Sequence, residues 1–380
     1  MVRGAWCVER CRELSLAGRT SWPFPLSAFG FILPQMRKLL VLVVILLAIH
    51  VAFLFVRPSG AAAGPSDDAI DVGIVFDLGG RGDKSFNDGA YLGGTRAVKE
   101  LGARVRFIEP GDGSDREAGL RLLAAEGMDL VIGICFIFTD DLTQLAKDYP
   151  KTKFAGIDFA VAIDGNGNPI LPPPNLAALK FREEEGSFLV GALAALRSKT
   201  KKVGFVGGMD SPLIQKFEVG YRAGVKHVCA ECIVLVGYAG VTPEAFRNPG
   251  KGKELALNQY GQGADIIYHA SGSTGLGVFE AARQAGKLAI GVDADQYAEM
   301  PGNVLTSMVK GVDEAVFDVV KLVKEHRFNG GIHQLGLREN GVGYVYDVNN
   351  RGLIPESIRA RVEALRDEVI AGKIRVPATR

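Results

Sequence analysis

The sequence contains few of the motifs and charge patterns that are typical of enzymes and of nucleic-acid-binding proteins. Its 380 residues hold 44 basic and 43 acidic side chains, a formal net charge of +1, so no bulk attraction to nucleic acid is expected. No G-x-S-x-G nucleophile motif is present, and His227, His269 and His326 have no recognisable catalytic triad around them. The sequence therefore predicts a protein that is not an enzyme.

Cysteine is also scarce. Of the five cysteines, only Cys229 and Cys232 form a C-x-x-C pair within the predicted folded region. Without a second pair or a nearby pair of histidines, a four-ligand zinc site is not expected, and we predict neither a metal nor a cofactor. The pair could form a local disulfide in an oxidising compartment or remain as two thiols. Cys135 stands alone in an apolar stretch, where cysteine usually behaves as a small hydrophobic residue.

The beginning of the chain has the layout of an export signal. Arg37 and Lys38 precede an uncharged apolar run at 39–56, and small residues suited to cleavage follow it. This order is typical of a signal peptide, which we place at 36–66. The run of about 18 residues is also near the lower limit for a membrane span, so an uncleaved signal anchor remains an alternative.

Residues 1–35 have no such layout. We therefore predict that they are a non-native N-terminal extension and that Met36 is the true start. No cysteine follows the apolar run, as the lipid anchor of a lipoprotein would require. The predicted location is the periplasm, or the outer face of the cytoplasmic membrane if the anchor is not cleaved.

From Asp71 onward, short apolar runs alternate with helical stretches. Residues 72–76 form a continuous apolar run, which is typical of a strand buried on both faces of a sheet. The β-α alternation predicts parallel sheets with helices on both faces. A stretch at 164–174 that is rich in Gly, Asn and Pro interrupts the series, and we interpret it as a linker region. The alternation then restarts, which predicts an α/β fold with two doubly wound, Rossmann-like lobes.

The lobes are expected to share the end of the chain. We predict that lobe 1 covers 67–177 and is completed by about 307–330, and that lobe 2 covers 178–306 and is completed by about 331–380. Such an arrangement needs a hinge with several crossovers. Ligands of doubly wound sheets bind beyond the carboxyl ends of the strands, so we expect one cleft between the lobes and hinge closure around a ligand.

Acidic residues end three of the predicted strands, at Asp77, Asp158 and Asp293. Carboxylates at these ends could accept hydrogen bonds from N–H or O–H groups of a ligand. Each of them could equally be a helix cap or a turn residue. Ser85 or Asn87 can cap the helix that follows the first strand, and Asn87 is also a candidate ligand contact.

Two aromatic residues lie in polar loops. Phe86 follows a glycine-rich stretch, and it either packs on the next helix or offers a stacking surface to a flat ligand; Phe246 lies in a polar loop of the second lobe. Gly272 belongs to a loop that opens a helix, whose N–H groups should point at the cleft. Lys310 follows a predicted strand and is either a surface lysine or a donor to a ligand oxygen.

The chain from about 71 to 325 resembles the basic membrane protein family of ABC-transporter substrate-binding proteins, and within it the purine nucleoside receptors. The motifs that carry the resemblance are DLGGRGDKSFN (77–87), FAGID (154–158), GFVGGMDSPLIQKFEVGY (204–221), AFRNPGKGKE (245–254), ASGSTGLGV (270–278) and GVDADQ (291–296). The resemblance implies a type I periplasmic binding protein fold and a partner permease.

In the nucleoside-binding members, the base lies between two aromatic rings, one from each lobe. The resemblance assigns these rings to Phe86 and Phe246. It assigns the base edge to two acids and the ribose hydroxyls to a glycine-rich turn, an acid and a lysine; these are Asp77 and Asp158, and Gly272, Asp293 and Lys310. Leu78 departs from the polar residue that is common at this position, which leaves the base preference open.

The resemblance thus implies a receptor that captures a purine nucleoside and delivers it to an ABC permease. We expect it to act as a monomer and to have no nucleic-acid partner. Two alternatives remain open at this point: a receptor for another small solute, such as a flavin or a sugar-like molecule, and a ligand sensor for a signalling partner.

Overall fold

A computed structural model describes residues 41, 43–47, 69–111 and 115–380. The chain divides into two compact units, Met1–Ser66 and Asp67–Arg380. In the first unit the described residues are helical and exposed. The predicted extension and the rest of the predicted signal segment lie outside the described residues. Across the part of the chain that the structure describes, none of the helices has the length and apolar character needed to span a bilayer.

The second unit is built from twelve strands and nine helices among the described residues. The strands are β1 (Asp71–Val75), β2 (Arg104–Ile108), β3 (Leu130–Ile134), β4 (Lys153–Ile157), β5 (Leu176–Phe181), β6 (Lys202–Met209), β7 (Ile233–Gly240), β8 (Ile266–Ala270), β9 (Leu288–Asp293), β10 (Val304–Lys310), β11 (Gly331–Leu335) and β12 (Val342–Tyr344). The helices are α1 (Phe86–Leu101), α2 (Arg116–Ala125), α3 (Thr139–Asp148), α4 (Glu183–Arg197), α5 (Pro212–Val228), α6 (Pro249–Gly261), α7 (Thr274–Ala285), α8 (Val312–Lys324) and α9 (Glu356–Ile370).

The strands form two six-stranded sheets, and each sheet is the centre of one lobe. The sheet of lobe 1 has the order β11-β5-β4-β3-β1-β2 and is parallel throughout. The sheet of lobe 2 has the order β12-β10-β9-β8-β6-β7, in which only β12 is antiparallel to its neighbour. Every residue of β3 is buried, as expected for a strand covered by helices on both faces. The predicted α/β fold with two doubly wound lobes is confirmed.

Helix packing in lobe 2 depends on small residues. The helices α4 and α5 lie against each other so closely that a Cβ atom added to Gly224 would be 2.0 Å from the carbonyl oxygen of Phe188. A side chain at this position would have to push the two helices apart. The contact holds α4 in place, and α4 begins directly at the hinge between the lobes.

The chain passes between the lobes three times. The first crossover lies at Arg182 between β5 and α4, the second at Gly311 between β10 and α8, and the third at 336–341 between β11 and β12. Backbone hydrogen bonds join the crossovers: Arg182 N donates to Leu335 O at 3.0 Å, and Gly311 N donates to Gly341 O at 2.9 Å. The hinge is therefore a set of three connected segments.

Strand pairing places the crossovers differently from the predicted lobe ranges. Residues 178–181 belong to the sheet of lobe 1 as part of β5, and 307–310 belong to the sheet of lobe 2 as part of β10. Residues 331–335 return to lobe 1. The stretch at 164–174 is not a linker between lobes, because it joins β4 to β5 within one sheet. Apolar runs reveal strands, but they do not reveal which sheet edge a distant strand will join.

The cysteines resolve one open alternative. Cys229 and Cys232 form a disulfide, which closes the turn between α5 and β7. Cys135 has a free thiol and is buried. It lies directly after β3 instead of within it, and burial raises the pKa of its thiol well above the ordinary range.

Candidate ligand-binding cleft

A cavity of about 520 Å³, part of it open to solvent, lies between the lobes at the carboxyl ends of the strands. All eight residues predicted to bind ligand line it. Lobe 1 contributes Asp77, Phe86, Asn87 and Asp158, and lobe 2 contributes Phe246, Gly272, Asp293 and Lys310. The structure thus brings the eight together, while their contact with a ligand stays a prediction.

Asp77 and Asn87 form one polar wall of the cavity. Asp77 follows β1, and its Oδ1 accepts hydrogen bonds from Asn87 Nδ2 at 2.6 Å and from Gly79 N at 2.7 Å. Burial raises the pKa of Asp77 to about 6, the bond from Asn87 opposes this rise, and the nearby charge of Asp83 adds to it. Near neutral pH the carboxyl can therefore change between donor and acceptor.

The residue that caps the N-terminus of α1 differs from the two that were predicted. Neither Ser85 nor Asn87 provides it; the buried carboxylate of Asp83 accepts from the backbone N–H groups of Ser85 at 2.9 Å, Asn87 at 2.9 Å and Asp88 at 3.2 Å. An acid just before the first helical turn is a cap signal that sequence reasoning missed here. The hydroxyl of Ser85 donates instead to the carboxylate of Asp293 in the other lobe.

Asp158 and Asp293 share an unusual backbone conformation. Their φ angles are 61° and 65°, in the left-handed region that few residues other than glycine adopt. Such a conformation costs on the order of 1–3 kcal/mol and is often found at ligand sites. Burial raises the pKa of Asp293 to about 7, against the opposing effect of the charge on Lys310. Both acids thus end their strands at the cavity, as predicted.

Lys310 is the last residue of β10, and only 3% of it is exposed. The surface-lysine alternative is therefore wrong. Its Nζ lies 2.6 Å from Asp158 Oδ2 and 3.3 Å from Glu183 Oε1. Burial alone would lower the pKa of Lys310, but the carboxylates of Asp158 and Glu183 outweigh burial and raise it. The ammonium group also lies 5.0 Å from the ring centroid of Phe86 and stays charged beside the cavity.

The partner Glu183 was not foreseen from the sequence. It is the first residue of α4, it is fully buried, and its Oε2 accepts from Lys216 Nζ. Lys216 Nζ also donates to the carbonyl oxygen of Phe181 at 2.6 Å and lies 3.4 Å from Glu184 Oε2. A run of acids at a helix start usually indicates a solvated surface favoured by the helix dipole. Nothing local in the sequence distinguishes this buried case.

Phe246 is held against the second lobe by the loop that contains Gly272. A Cβ atom at Gly208 would lie 2.4 Å from two carbon atoms of the Phe246 ring, so the ring packs directly on the glycine backbone. Ser273 Oγ donates to Phe246 O at 2.9 Å. Gly272 has a φ of +55°, which suits a residue without a side chain. The aromatic side chain therefore has a fixed position at the cavity.

His269 is a structural residue beside the cavity. It is fully buried, its Nε2 lies 3.1 Å from Gln296 Oε1, and its Nδ1 lies 3.3 Å from Ser271 Oγ. Burial lowers its pKa to about 4, so the ring is neutral at physiological pH. These contacts assign the proton to Nε2 and give His269 the role of orienting Gln296.

The two lobes contact each other across the cavity. Besides the Ser85–Asp293 hydrogen bond, Gln296 Nε2 of lobe 2 donates to Lys84 O of lobe 1 at 2.9 Å. The Lys310–Asp158 ion pair also joins the lobes. In the described ranges, no group of three or more His, Cys, Asp or Glu side chains is arranged to hold a metal ion.

Fold and site define a class of protein. Two doubly wound lobes, a hinge of several crossovers and a cleft between the lobes at the carboxyl ends of the strands are the architecture of a type I periplasmic binding protein. The sequence model of the Bmp family, described as "ABC transporter substrate-binding protein PnrA-like", matches residues 70–375. The chain belongs to this family, and it is an ABC-transporter substrate-binding protein.

Individual relatives agree with this assignment. The ABC transporter nucleoside-binding protein BmpA of Lactococcus lactis subsp. cremoris is 32% identical over 368 residues, which cover 90% of this chain and 100% of that protein. An uncharacterized lipoprotein of Pyrococcus horikoshii is 37% identical over 286 residues, covering 73% of this chain and 69% of that protein. A solved ABC transporter solute-binding protein from Aeropyrum pernix K1 has a TM-score of 0.72 and 32% identity, covering 81% of this chain and 94% of that one.

The raised pKa values of the cleft acids predict a pH dependence. Asp77 and Asp293 have folded pKa values of about 6 and 7 against an ordinary 3.8, so the folded state holds protons that the unfolded state releases. Their contribution to stability is therefore present below about pH 4 and is lost as the pH rises toward 7. Asp293→Asn, which cannot ionise, should raise the free energy of unfolding by about 1–2 kcal/mol at pH 7.5 and by clearly less at pH 4.5.

Urea unfolding of the ligand-free full chain at the two pH values measures this difference. Asp295→Asn, two residues away at an exposed position, serves as the control and should show no such pH-dependent gain. An equal effect of Asp293→Asn at both pH values would contradict the raised pKa.

Proposed function

We propose that this protein captures a purine nucleoside in the interlobe cleft and delivers it to the permease of an ABC importer. The observation that carries the proposal is that Phe86 of lobe 1 and Phe246 of lobe 2 line the same cavity. Stacking of a base on an aromatic side chain contributes about 1–3 kcal/mol. A flat ligand between the two rings would also connect the lobes and favour their closure.

Polar groups around the rings suit the rest of a nucleoside. In the proposal, Asp77 and Asp158 bind the base edge, and Gly272, Asp293 and Lys310 bind the ribose hydroxyls. Within the described chain, Asp158 Oδ1 is buried and has no hydrogen-bond partner, so it has the capacity to accept from a ligand. Carboxylates and an ammonium group make charge-assisted hydrogen bonds, which orient a ligand strongly.

The relatives support the ligand class and the location. The name of the Lactococcus relative states that it binds nucleosides, and the Pyrococcus relative is named a lipoprotein. We propose that the present chain acts as a monomer on the outer side of the cytoplasmic membrane, either released into the periplasm or held by its N-terminal segment. The Cys229–Cys232 disulfide suits an oxidising compartment of this kind.

A thermal-shift screen of the full chain in mild detergent tests the proposal. The ligands are guanosine, inosine, adenosine, the free bases, ribose and riboflavin. A ligand at a hundred times its Kd stabilises the folded state by about 2.7 kcal/mol, which corresponds to a rise in Tm of about 5 °C for a protein of this size. We expect this rise with at least one purine nucleoside and not with ribose.

Other outcomes would redirect the assignment. A rise with riboflavin or ribose and with no nucleoside would contradict the nucleoside proposal. Recovery of the bound nucleoside after long incubation separates a receptor from an enzyme: chromatography should return it unchanged, whereas free base or ribose phosphate would indicate catalysis.

A further inference from the structure

Four ionisable side chains form a continuous row beside the cleft; Asp158, Glu183 and Lys310 are buried, and Lys216 is partly exposed. Lys216 contacts Glu183, Glu183 Oε1 lies 3.3 Å from Lys310 Nζ, and Lys310 Nζ lies 2.6 Å from Asp158 Oδ2. Both lysines have pKa values that are raised despite burial, and the pKa of Glu183 is lowered despite burial, because opposite charges lie beside each of them. These three groups are therefore charged inside the protein.

This row connects the hinge to the cleft. Glu183 follows the first crossover, and Lys310 immediately precedes the second. Asp158 belongs to lobe 1 and lines the cavity together with Lys310. Glu183 does not line the cavity itself, so any effect that it has on a ligand must act through Lys310.

From this geometry we infer that Glu183 is a positioning residue for ligand binding. Its carboxylate attracts Lys310 in competition with Asp158, and this keeps hydrogen-bonding atoms of Lys310 and Asp158 available to the ligand. The inference rests on the proposed function, because it concerns the same cleft. The charge of Glu183 is the property that matters, since the shape of its side chain would be preserved in glutamine.

The hydrogen-bonding capacity of the two cavity residues explains the effect. A lysine ammonium has three N–H donors. Asp158 Oδ2 accepts one of them at 2.6 Å, whereas Glu183 Oε1 lies 3.3 Å from Nζ as an ion-pair partner and accepts no hydrogen bond from the described residues. The two carboxylates attract Lys310 from two sides, Asp158 Oδ1 has no partner among the described residues, and Lys310 keeps N–H donors for the ligand.

Loss of the Glu183 charge would remove the attraction that opposes the pairing of Lys310 with Asp158. Lys310 would then pair with Asp158 alone, and the two Asp158 oxygens and the ammonium would satisfy each other. Lys216 helps to orient Glu183, because it binds Oε2 and leaves only Oε1 to face Lys310. After loss of the Glu183 charge, the Lys310 ammonium and Asp158 Oδ1 would both become less available to a ligand.

Three variants of the full chain test the inference by titration calorimetry with guanosine. Glu183→Gln should weaken binding about tenfold. The matched control is Glu184→Gln, which removes a neighbouring carboxylate that contacts Lys216 at 3.4 Å instead of Lys310; its affinity should stay within threefold of the wild type. Glu183→Gln combined with Lys216→Met should bind as weakly as Glu183→Gln alone.

The double variant separates positioning from a merely structural role. If Glu183 serves only to neutralise Lys216, removal of both charges would restore guanosine binding, and the inference would be overturned. An equal loss of affinity in Glu184→Gln would overturn it too, since that result would indicate a general effect of charge in the hinge.

A ligand-free readout keeps the inference distinct from the proposed function. In a crystal structure of the Glu183→Gln protein, Lys310 Nζ should lie within hydrogen-bond distance of both Asp158 oxygens, whereas in Glu184→Gln it should keep its present position. An unmoved Lys310 in Glu183→Gln would overturn the inference even if guanosine binds. Failure of the wild type to bind any nucleoside would instead contradict the proposed function, and the position of Lys310 would still decide the role of Glu183.

Discussion

Lys310→Ala should lower the free energy of unfolding by about 3–5 kcal/mol at pH 8. The substitution leaves the buried carboxylates of Asp158 and Glu183 without the ammonium group that lies 2.6 and 3.3 Å from them, and removal of one partner from a buried ion pair has an effect of this size. The loss should be smaller at pH 5, because protonation neutralises the abandoned carboxylates. Urea unfolding of the full chain at both pH values measures it.

Two further variants identify the cause of this loss. Lys253→Ala removes a lysine from an exposed ion pair with Glu280 at 3.2 Å, and its effect should stay below about 1 kcal/mol. Lys310→Met combined with Asp158→Asn removes the closest pair of charges together and should recover at least half of the lost stability. A loss below 1 kcal/mol for Lys310→Ala at pH 8 would mean that water reaches the site freely.

Phe86→Ala should weaken the binding of guanosine by about ten- to a hundredfold. The Phe86 side chain is half-buried and lines the cavity from lobe 1, whereas Phe246 lines it from lobe 2. The loss of one stacking surface should lower the binding free energy by about 1–3 kcal/mol. Titration calorimetry measures the affinity. Phe246→Ala should have a comparable effect, because a base between the lobes would have one ring on each face.

The controls for Phe86 separate stacking from packing. Phe86→Tyr keeps an aromatic face and should bind within a fewfold of the wild type, whereas Phe86→Leu keeps an apolar side chain without a ring and should bind weakly. Phe328→Ala changes a half-buried phenylalanine of lobe 1 that is not part of the cavity, so affinity should be unaffected. Unchanged affinity in Phe86→Ala would contradict the proposal that the nucleobase stacks between Phe86 and Phe246.

The parts of the structure that could be predicted depend on local patterns. Parallel strands buried on both faces require continuous apolar runs such as 72–76, and these runs correctly indicated β1 and its equivalents. The residue after such a strand lies at the carboxyl edge of the sheet, where ligands of this fold bind. Asp77, Asp158 and Asp293 could therefore be expected at one cleft, and the structure places them there.

The parts that could not be predicted depend on distant partners. Glu183 lies in an acidic run that resembles a solvated helix start, and only Lys216 and Lys310, far along the chain, reveal its burial. Lys310 could not be distinguished from a surface lysine for the same reason. The return of 331–335 to lobe 1 instead of lobe 2 depends on an edge pairing with β5, which no pattern within either segment specifies.

The order of the strands along the chain also bears on synthesis. Neither sheet consists of one continuous stretch, because β11 and β12, each of which forms one edge of its sheet, are the last strands of the chain. Contacts between such distant segments slow folding. A growing chain therefore cannot finish either lobe until nearly all of it has left the ribosome. Both hydrophobic cores therefore stay incomplete until these late strands have joined their sheets.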